Sequence, residues 1–410
     1  MSIPKETRQP LHVNCQWVGT AEGLRTLADR LRGARAIGLD TESDSLHSFP
    51  EKVCLIQVAE ENGAVSLLDP LALGDLSPLA PVCADPRIVK VLHGASYDLA
   101  SMKRDFGFGF AGIFDTMVAA QFLGLPELGL ASLLEHFFGI LPGPSRQKDD
   151  WAERPLSSEQ VSYAAEDVRH LIRLCERLLQ MLRGRGREAW VEEECEVLAA
   201  MPASQRIFDP EDYVRLKGTR GLDGQGLAVL RELYVAREAW AYEVGRPPFK
   251  VLGNESLIRL AMARPQARES LRSIPGCSPK VVARYGDGLL AAIARGLAIP
   301  ETDLPVYPRA RRPRVPPAVQ RRIEALTRWR AGAAARLGIQ PGLLLPRRLV
   351  ERLAEGAPAD AEALRGIKGL RRWRAEAFGP EMLAALLPLL AGRGPAVDFP
   401  RGAEGENQPA

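Results

Sequence analysis

Short apolar runs alternate with amphipathic stretches along the first 200 residues of the chain. Four runs bounded by glycine, proline, asparagine or aspartate predict β-strands, at 36–41, 53–59, 64–68 and 88–92. Residues 21–31 and 157–182 instead show helical spacing, and Ser157 with Gln160 forms a capping-box pattern at the second helix start. Strands interleaved with helices are typical of an α/β fold. The short separation around Gly63 predicts a hairpin, and therefore a mixed sheet.

From about residue 210 the strand signal fades and the sequence repeats. Residues 269–276 align with residues 362–369 at an offset of 93, sharing Glu, Leu, Arg, Ile and Gly, and further pairs keep this offset. Two copies of one small helical domain explain the repeat. We place the two domains at 215–298 and 315–391. An extended Pro/Arg-rich linker joins them at 299–314, and a tail predicted to be disordered follows at 392–410.

Charge is distributed unevenly, although the net charge is only +3. Residues 1–200 contain 20 Lys and Arg against 29 Asp and Glu, whereas residues 201–410 contain 34 against 22. An acidic half joined to a basic half favours a nucleic-acid partner that one part holds and the other modifies.

Cysteine spacing and hydropathy argue against several classes of protein. The six cysteines are scattered without a Cys-x-x-Cys pair, which disfavours zinc ribbons and dithiol redox motifs and fits a reducing cytoplasm. The longest apolar stretch, 382–391, is interrupted by Pro388 and is too short to cross a bilayer. The first ten residues lack the apolar core of a secretory signal. We expect a cytoplasmic protein without a membrane partner or an obligate protein partner.

Acidic residues stand at three points of the predicted α/β domain. Asp40 and Glu42 end the first strand and point to the same face, because side chains alternate along a strand. Asp98 begins a helix after the strand 88–92, and Tyr163 lies one helical turn before Asp167. Each feature alone is typical of solvated charges or ordinary helix faces. Their occurrence together and in this order indicates a functional site.

These residues resemble the motifs of the DEDD superfamily of 3′→5′ exonucleases. The three motifs are IGLDTES at 37–43, HGASYDL at 93–99 and YAAEDV at 163–168. The connecting segments 114–120 and 150–157 are similar to those of the ribonuclease D family in particular. The last motif of this superfamily carries either a histidine five residues before the final aspartate or a tyrosine four residues before it. Here Ser162 occupies the histidine position and Tyr163 the tyrosine position before Asp167, so the resemblance is to the tyrosine branch.

The resemblance implies a fold and a cofactor. The fold is a ribonuclease H-like exonuclease domain at 12–205, with a mixed five-stranded sheet flanked by helices. Its four acids bind two divalent cations, Mg²⁺ or Mn²⁺, which prefer oxygen ligands. Asp40 is expected to bridge both ions, Glu42 and Asp167 to complete one site, and Asp98 to support the other. Tyr163 is expected to orient the attacking water.

The helical repeats resemble HRDC domains, which occur in the ribonuclease D family and in RecQ-type helicases. The first copy shows the resemblance in segments that include Leu230-Arg-Glu-Leu233 and 246–252, whereas the second is more divergent. The resemblance thus predicts an exonuclease domain followed by two all-α HRDC-like domains. Their arginine-rich faces are expected to hold RNA through its phosphates, unless the domains serve only packing and solubility.

Five further residues are candidate substrate contacts. Thr41 lies between two of the acids, and His93 either shapes the turn before Asp98 or contacts substrate. The family usually carries an Asp-Lys stretch where this chain has LPGPSRQK at 141–148, so Arg146 or Lys148 is the candidate replacement. Trp151 either stacks on a base or anchors its loop to the core.

Three functions are consistent with the motifs. The leading hypothesis is a 3′→5′ exoribonuclease that trims structured RNA, tRNA precursors by resemblance, and releases 5′-mononucleotides. The second is a 3′→5′ exonuclease that prefers DNA, because the same acids serve both polymers and only a 2′-hydroxyl contact separates them. The third is a catalytically silent nucleic-acid-binding protein, which has no physical need to keep all four acids.

Overall fold

The computed structural model describes residues 15–203, 207–308 and 315–390. The tail predicted at 392–410 lies outside the described residues, as do the linker residues 309–314. The described residues form two compact units, the first from segments within 1–116, 129–177 and 195–311, the second from segments within 117–128, 178–194 and 312–410. No helix in the described part of the chain is long and apolar enough to span a membrane.

A six-stranded mixed sheet lies at the centre of the first unit. Its strands follow the order β1-β4-β3-β2-β5-β6. The β2–β3 and β3–β4 pairs are antiparallel, as the predicted hairpin requires, whereas β1–β4, β2–β5 and β5–β6 are parallel. The strands are β1 (Cys15–Val18), β2 (Ala36–Ser43), β3 (Val53–Glu60), β4 (Val65–Leu68), β5 (Val89–Leu92) and β6 (Ile113–Asp115).

The expected number of five strands is wrong by one. The four strands predicted from apolar runs are all present and form the middle of the sheet. The two strands that the pattern did not predict, β1 and β6, are the edges and contain only four and three residues. The four-residue strands β4 and β5 are mostly buried and show apolar runs, whereas β1 has two exposed residues, Gln16 and Trp17, and β6 is shorter still.

Nine α-helices accompany the sheet in the segment 15–203. The predicted Ser157–Gln160 capping box is present, since each of the two side chains accepts the backbone N–H of the other residue. The single helix predicted at 157–182 is interrupted at His170, whose ψ of 0° leaves helical geometry. The helices are α1 (Ala21–Leu31), α2 (Pro70–Leu73), α3 (Ala80–Ala84), α4 (Ser96–Phe106), α5 (Thr116–Phe122), α6 (Leu130–Phe138), α7 (Ser158–Arg169), α8 (Leu171–Gly184) and α9 (Glu188–Ala200).

The predicted repeat appears as two five-helix bundles in register. In each bundle a long first helix begins the fold and a long last helix closes it, and all five helix starts keep the offset of 93 residues. The first bundle comprises α10 (Gly224–Val244), α11 (Pro248–Val251), α12 (Asn254–Ala263), α13 (Arg268–Leu271) and α14 (Pro279–Leu297). The second comprises α15 (Pro317–Leu337), α16 (Pro341–Leu344), α17 (Arg347–Gly356), α18 (Ala361–Arg365) and α19 (Arg372–Leu390).

Atomic contacts repeat along with the helices. Arg237 donates to the carbonyl oxygen of Leu252 at 3.0 Å, and Arg330 donates to that of Leu345 at the same distance. These arginines hold the chain where the short second helix of each bundle ends, which satisfies a carbonyl that the helix leaves unpaired. The repeat is therefore structural and not only a similarity of composition.

Candidate metal centre

The first two acids project from the central strand of the sheet. Asp40 and Glu42 lie in β2, opposite Gln57 and Leu55 of β3, so they share one face of the sheet as the alternation predicts. The pairing of β2 with β3 shifts at a bulge between Glu42 and Ser43. Bulges are enriched beside active sites because they change the direction in which a side chain points.

A glycine allows the third acid to approach. Gly38 lies in β2 two residues before Asp40, and a Cβ built there would be 2.9 Å from the carbonyl oxygen of Val168. Only a glycine lets α7 pack this closely on the strand. As a result Asp167, the residue before Val168, lies beside Asp40.

Asp40, Glu42 and Asp167 form a carboxylate cluster. Each offers an oxygen, and these oxygens all lie within 4.8 Å of one another. The spacing suits a hard divalent cation, which prefers carboxylate oxygens over nitrogen or sulfur ligands.

Asp98 lies next to this group but outside the three-residue cluster. It is buried in the first turn of α4, and its carboxylate accepts a hydrogen bond of 2.5 Å from the Thr41 hydroxyl. Its negative charge raises the pKa of both Asp40 and Glu42, so Asp98 acts on the cluster electrostatically. The four predicted acids are therefore brought to one place, with Asp98 held at its side by Thr41.

Repulsion and burial raise the pKa of every acid in this group. Burial, reinforced by Asp167 and Asp98, raises the pKa of Glu42 to about 9, and burial raises those of Asp98 and Asp167 to about 6. The pKa of Asp40 is raised well above its usual range by burial and by its three acidic neighbours. Carboxylates this close repel one another, so without a metal some of them stay protonated. Bound divalent ions would displace those protons and neutralise the repulsion. The donor set thus fits the expected metal.

Tyr163 completes the group from the same helix as Asp167. Its phenol is hydrogen-bonded to Asp167 and to Ser145, and burial followed by the charge of Asp167 raises its pKa above the usual value. The hydroxyl consequently stays protonated at neutral pH and can donate or accept a hydrogen bond.

A cleft of about 410 Å³ opens over these residues. Asp40, Asp167 and Tyr163 line it on one side, His93 contributes to its wall, and the loop 140–147 covers another side. The chemical groups that could hold a cation and orient a water molecule thus border one open cavity.

Comparison with known proteins assigns both kinds of domain. A family model described as 3'-5' exonuclease matches residues 15–183, and a model described as HRDC domain matches residues 226–293 and 319–386. A ribonuclease D of Gluconacetobacter diazotrophicus is 33% identical over 371 residues, which cover 90% of this chain and 91% of that protein. The chain belongs to the ribonuclease D family.

Further relatives agree with this assignment. A ribonuclease D of Acidiphilium cryptum is 34% identical over 373 residues, covering 89% of this chain and 91% of that protein. The crystal structure of Escherichia coli RNase D, described as an exoribonuclease involved in structured RNA processing, matches with 28% identity and a TM-score of 0.67. The match covers 91% of this chain and 98% of that chain. As a ribonuclease D family member, the chain is a 3′→5′ exoribonuclease whose exonuclease domain is followed by helical HRDC domains.

Two of the candidate substrate contacts are buried. Trp151 is fully buried and packs 6.1 Å, centroid to centroid, from the ring of Tyr163, so it offers no face to a base and instead anchors its loop. The Thr41 side chain is also buried, and its hydroxyl is engaged by Asp98. For Trp151 this is the loop-anchoring alternative that the sequence offered.

Of the other three candidates, His93 lines the cleft, whereas Arg146 and Lys148 belong to the adjoining loop segment and do not line it. Substrate contact by all three stays a prediction. His93 faces the cleft, and its Nδ1 lies 2.9 Å from the Thr116 hydroxyl. Arg146 pairs with Asp149 at 3.4 Å. Lys148 is exposed, and its carbonyl oxygen accepts a hydrogen bond from His47 Nε2 at 2.9 Å.

Two residues outside the predicted set of site residues position the site. Gly38 permits the approach of α7, and Asp115 accepts the backbone N–H groups of Gly94 and Ala95 at 3.0 and 2.8 Å. The latter contacts fix the turn that leads into Asp98. A glycine inside an apolar strand was the available signal for close backbone approach.

Proposed function

We propose that this ribonuclease D family member hydrolyses RNA at the carboxylate cluster with two divalent cations, Mg²⁺ or Mn²⁺, and releases 5′-mononucleotides. The observation that carries the proposal is the convergence of the carboxylates of Asp40, Glu42 and Asp167, of which Asp40 and Asp167 line the cleft. Two such ions, when bound, lower the pKa of a water molecule and stabilise the leaving oxygen.

We assign each residue of the site a role according to its position. Asp40, at the centre of the cluster, would contact both ions, while Glu42 and Asp167 would complete one site. Asp98, fixed by Thr41, would support the second. Tyr163 is protonated and hydrogen-bonded to Asp167, so its hydroxyl would orient the attacking water rather than remove a proton from it.

For the substrate we propose structured RNA, with tRNA precursors as the leading class. The proposal that an RNA strand runs near the cleft is supported by a basic group of the first HRDC domain. Lys250 Nζ lies 3.5 Å from His47 Nδ1, and the other ring nitrogen of His47 donates to the Lys148 carbonyl. Lys250 and His47 thus lie beside the loop that borders the cleft, where the Asp150 carboxylate is also 3.5 Å from His47 Nδ1. Phosphate contacts at such positions hold a strand without reading its sequence.

A cytoplasmic location is part of the same proposal. It is supported by the scattered cysteine spacing, which fits a reducing compartment.

A substrate comparison tests the proposed function. The protein is incubated with 3′-extended tRNA and with a DNA of matched sequence, in Mg²⁺ or Mn²⁺, beside an Asp40→Asn variant. We expect shortening of the RNA from its 3′ end, and none with the variant. Selective trimming of DNA would favour the second hypothesis, and binding without trimming would favour the third.

A Lys250→Glu variant tests the role of the first HRDC domain separately. We expect weaker RNA affinity and a smaller salt dependence, with unchanged cleavage of dinucleotides, because one phosphate contact is lost. The exposed Lys280→Glu variant, in α14 of the same domain, is the charge-matched control. Equal loss of RNA affinity in both variants would contradict the proposal that the RNA strand passes His47.

A further inference from the structure

Arg154 forms five hydrogen bonds in the segment that leads into α7. Its guanidinium donates to both carboxylate oxygens of the buried Asp69, at 2.8 and 2.7 Å. It also donates to the carbonyl oxygens of Trp151 and Glu153, both at 2.8 Å, and to that of Cys54 at 2.7 Å. An arginine bonded to a carboxylate through two parallel bonds is held in a fixed orientation. The segment 150–157 carries part of the family resemblance, although no proposed metal ligand lies in it.

The outer partners of Arg154 belong to the ends of three strands. Cys54 is the second residue of β3, and Asp69 directly follows β4. The backbone N–H of Asp69 donates to the carbonyl oxygen of Val18, the last residue of β1, at 3.0 Å. The Trp17 ring adds a cation–π contact, since its centroid lies 5.6 Å from the guanidinium carbon. Arg154 is thereby fastened to the central sheet.

The inner bonds of Arg154 hold the residue that packs on Tyr163. Trp151 is fully buried, and its ring centroid lies 6.1 Å from that of Tyr163 at an interplanar angle of 37°. Because Arg154 donates to the Trp151 carbonyl oxygen, it fixes the backbone from which this ring projects. Tyr163 in turn lines the cleft beside Asp167. A series of direct contacts thus runs from the strand ends through Arg154 and Trp151 to Tyr163.

The same segment is also tied to the start of α7. Gln160, which forms the capping box, donates through Nε2 to the carbonyl oxygen of Asp150 at 3.4 Å. The Asp150 side chain accepts the backbone N–H of Ala152 at 3.0 Å, which fixes the turn around Trp151. Trp151 therefore lies between two fixed points of the chain, one on the helix and one, at Arg154, on the sheet.

We propose that Arg154 is a positioning residue for the reaction, which sets the place of the Tyr163 ring through Trp151. The inference rests on the proposed function, because that function assigns the Tyr163 hydroxyl to the attacking water. Misplacement of a reacting group by about 1 Å can cost about 10²-fold in rate. A shift of the Trp151 ring would move the phenol, whereas the acids of β2 and α4 would keep their places. The effect should therefore fall on kcat and not on metal affinity.

A double-mutant cycle tests the proposal. Arg154→Lys keeps a positive charge beside Asp69 but cannot form the planar set of bonds. kcat and KM for RNA trimming, Mn²⁺ affinity and Tm are measured for the wild type, Arg154→Lys, Tyr163→Phe and the double variant. We expect Arg154→Lys to lower kcat about tenfold or more, with KM and Mn²⁺ affinity nearly unchanged. In Tyr163→Phe, which has no hydroxyl to position, the same change should lower kcat less than about threefold further.

Two further variants separate positioning from lost stability. Arg104→Lys is the matched control, because only 18% of the Arg104 side chain is exposed and it donates to both carboxylate oxygens of Asp105, at 2.6 and 3.0 Å. Arg104→Lys should lower Tm while kcat of the folded protein stays near the wild-type value. Trp151→Phe leaves the bonds between Arg154 and Asp69 in place and should show the same dependence on Tyr163 as Arg154→Lys.

The other outcomes each reject a different statement. Equal, multiplicative losses of kcat from Arg154→Lys with and without the Tyr163 hydroxyl would overturn the positioning proposal. So would a wild-type kcat in Arg154→Lys, or a loss of kcat that Arg104→Lys shares. Wild-type kcat in Tyr163→Phe would instead overturn the role proposed for the hydroxyl. An Asp40→Asn variant that trims RNA in the same assay would overturn the proposed function itself.

Discussion

Thr41 and Asp98 are 57 residues apart in sequence, yet the Thr41 hydroxyl donates to the Asp98 carboxylate at 2.5 Å in a buried environment. This hydrogen bond lowers the pKa of Asp98 against the opposing effect of burial. It also joins strand β2 to the first turn of α4, the two elements that supply three of the four acids. Thr41 therefore positions an acid rather than the substrate.

Replacing Thr41 tests this role. Thr41→Val has nearly the same shape but no hydroxyl, and hydrogen bonds to charged groups contribute about 1.5–3 kcal/mol. We expect a fall in kcat/KM of about tenfold or more, with weaker Mn²⁺ binding measured by calorimetry. Thr41→Ser retains the donor and should stay close to the wild type. Equal activity of Thr41→Val and wild type would show that the bond is dispensable.

The stability of the metal-free protein should depend on pH with a predictable sign. The pKa of Glu42 is raised to about 9 and those of Asp98 and Asp167 to about 6, so the folded state binds more protons than the unfolded state above pH 4. The stability that these three carboxyl groups contribute is fully present below their unfolded-state pKa values. It is lost as the pH rises through their folded-state pKa values. We expect Tm in EDTA to fall between pH 5 and pH 9.

Glu42→Gln isolates one contribution to this dependence. With a pKa of about 9, Glu42 takes up a proton on folding at pH 8, and the neutral glutamine removes that cost, so the variant should melt at a higher temperature than the wild type at pH 8 in EDTA. Added Mn²⁺ should stabilise the wild type more than the variant. A lower Tm for Glu42→Gln at pH 8 without metal would show that the cluster is not under electrostatic strain.

Tyr163→Phe tests the hydroxyl without disturbing the ring that packs on Trp151. The variant loses the hydrogen bond to Asp167 and the group proposed to orient water. We expect kcat to fall about 10²-fold or more, within the range for a positioned proton-transfer group, while KM and Mn²⁺ affinity change little. Rapid-quench kinetics under single-turnover conditions measures this. A loss confined to KM would assign the hydroxyl to substrate binding.

Gly38→Ala tests the approach of α7 to β2 without changing a polar group. The added Cβ would lie 2.9 Å from the Val168 carbonyl oxygen, so the helix must shift. Overpacking of this kind costs about 1–3 kcal/mol, and the displaced Asp167 should reduce Mn²⁺ affinity. Gly109→Ala adds a methyl group to open space and is the control. Wild-type metal affinity and stability in Gly38→Ala would contradict this account of the close approach.

Sequence alone predicted the middle of the sheet, the repeat and the acidic motifs. The four central strands show apolar runs because most of their residues are buried, and the two helical domains keep a constant offset of 93 residues. The edge strand β1 escaped prediction because two of its four residues are exposed, and β6 because it has only three residues. The sequence left the surroundings of Trp151 and Thr41 open because burial depends on distant packing partners, here Tyr163 and Asp98, which no local pattern reveals.

Metal binding by wild type and Asp40→Asn tests the central claim most directly. Mn²⁺ is titrated calorimetrically into each protein after EDTA treatment, and 3′-end trimming of RNA is followed in the same preparations. The account predicts two bound ions and activity in the wild type, with binding and trimming lost together in Asp40→Asn. Unchanged Mn²⁺ binding and unchanged trimming in the variant would contradict it.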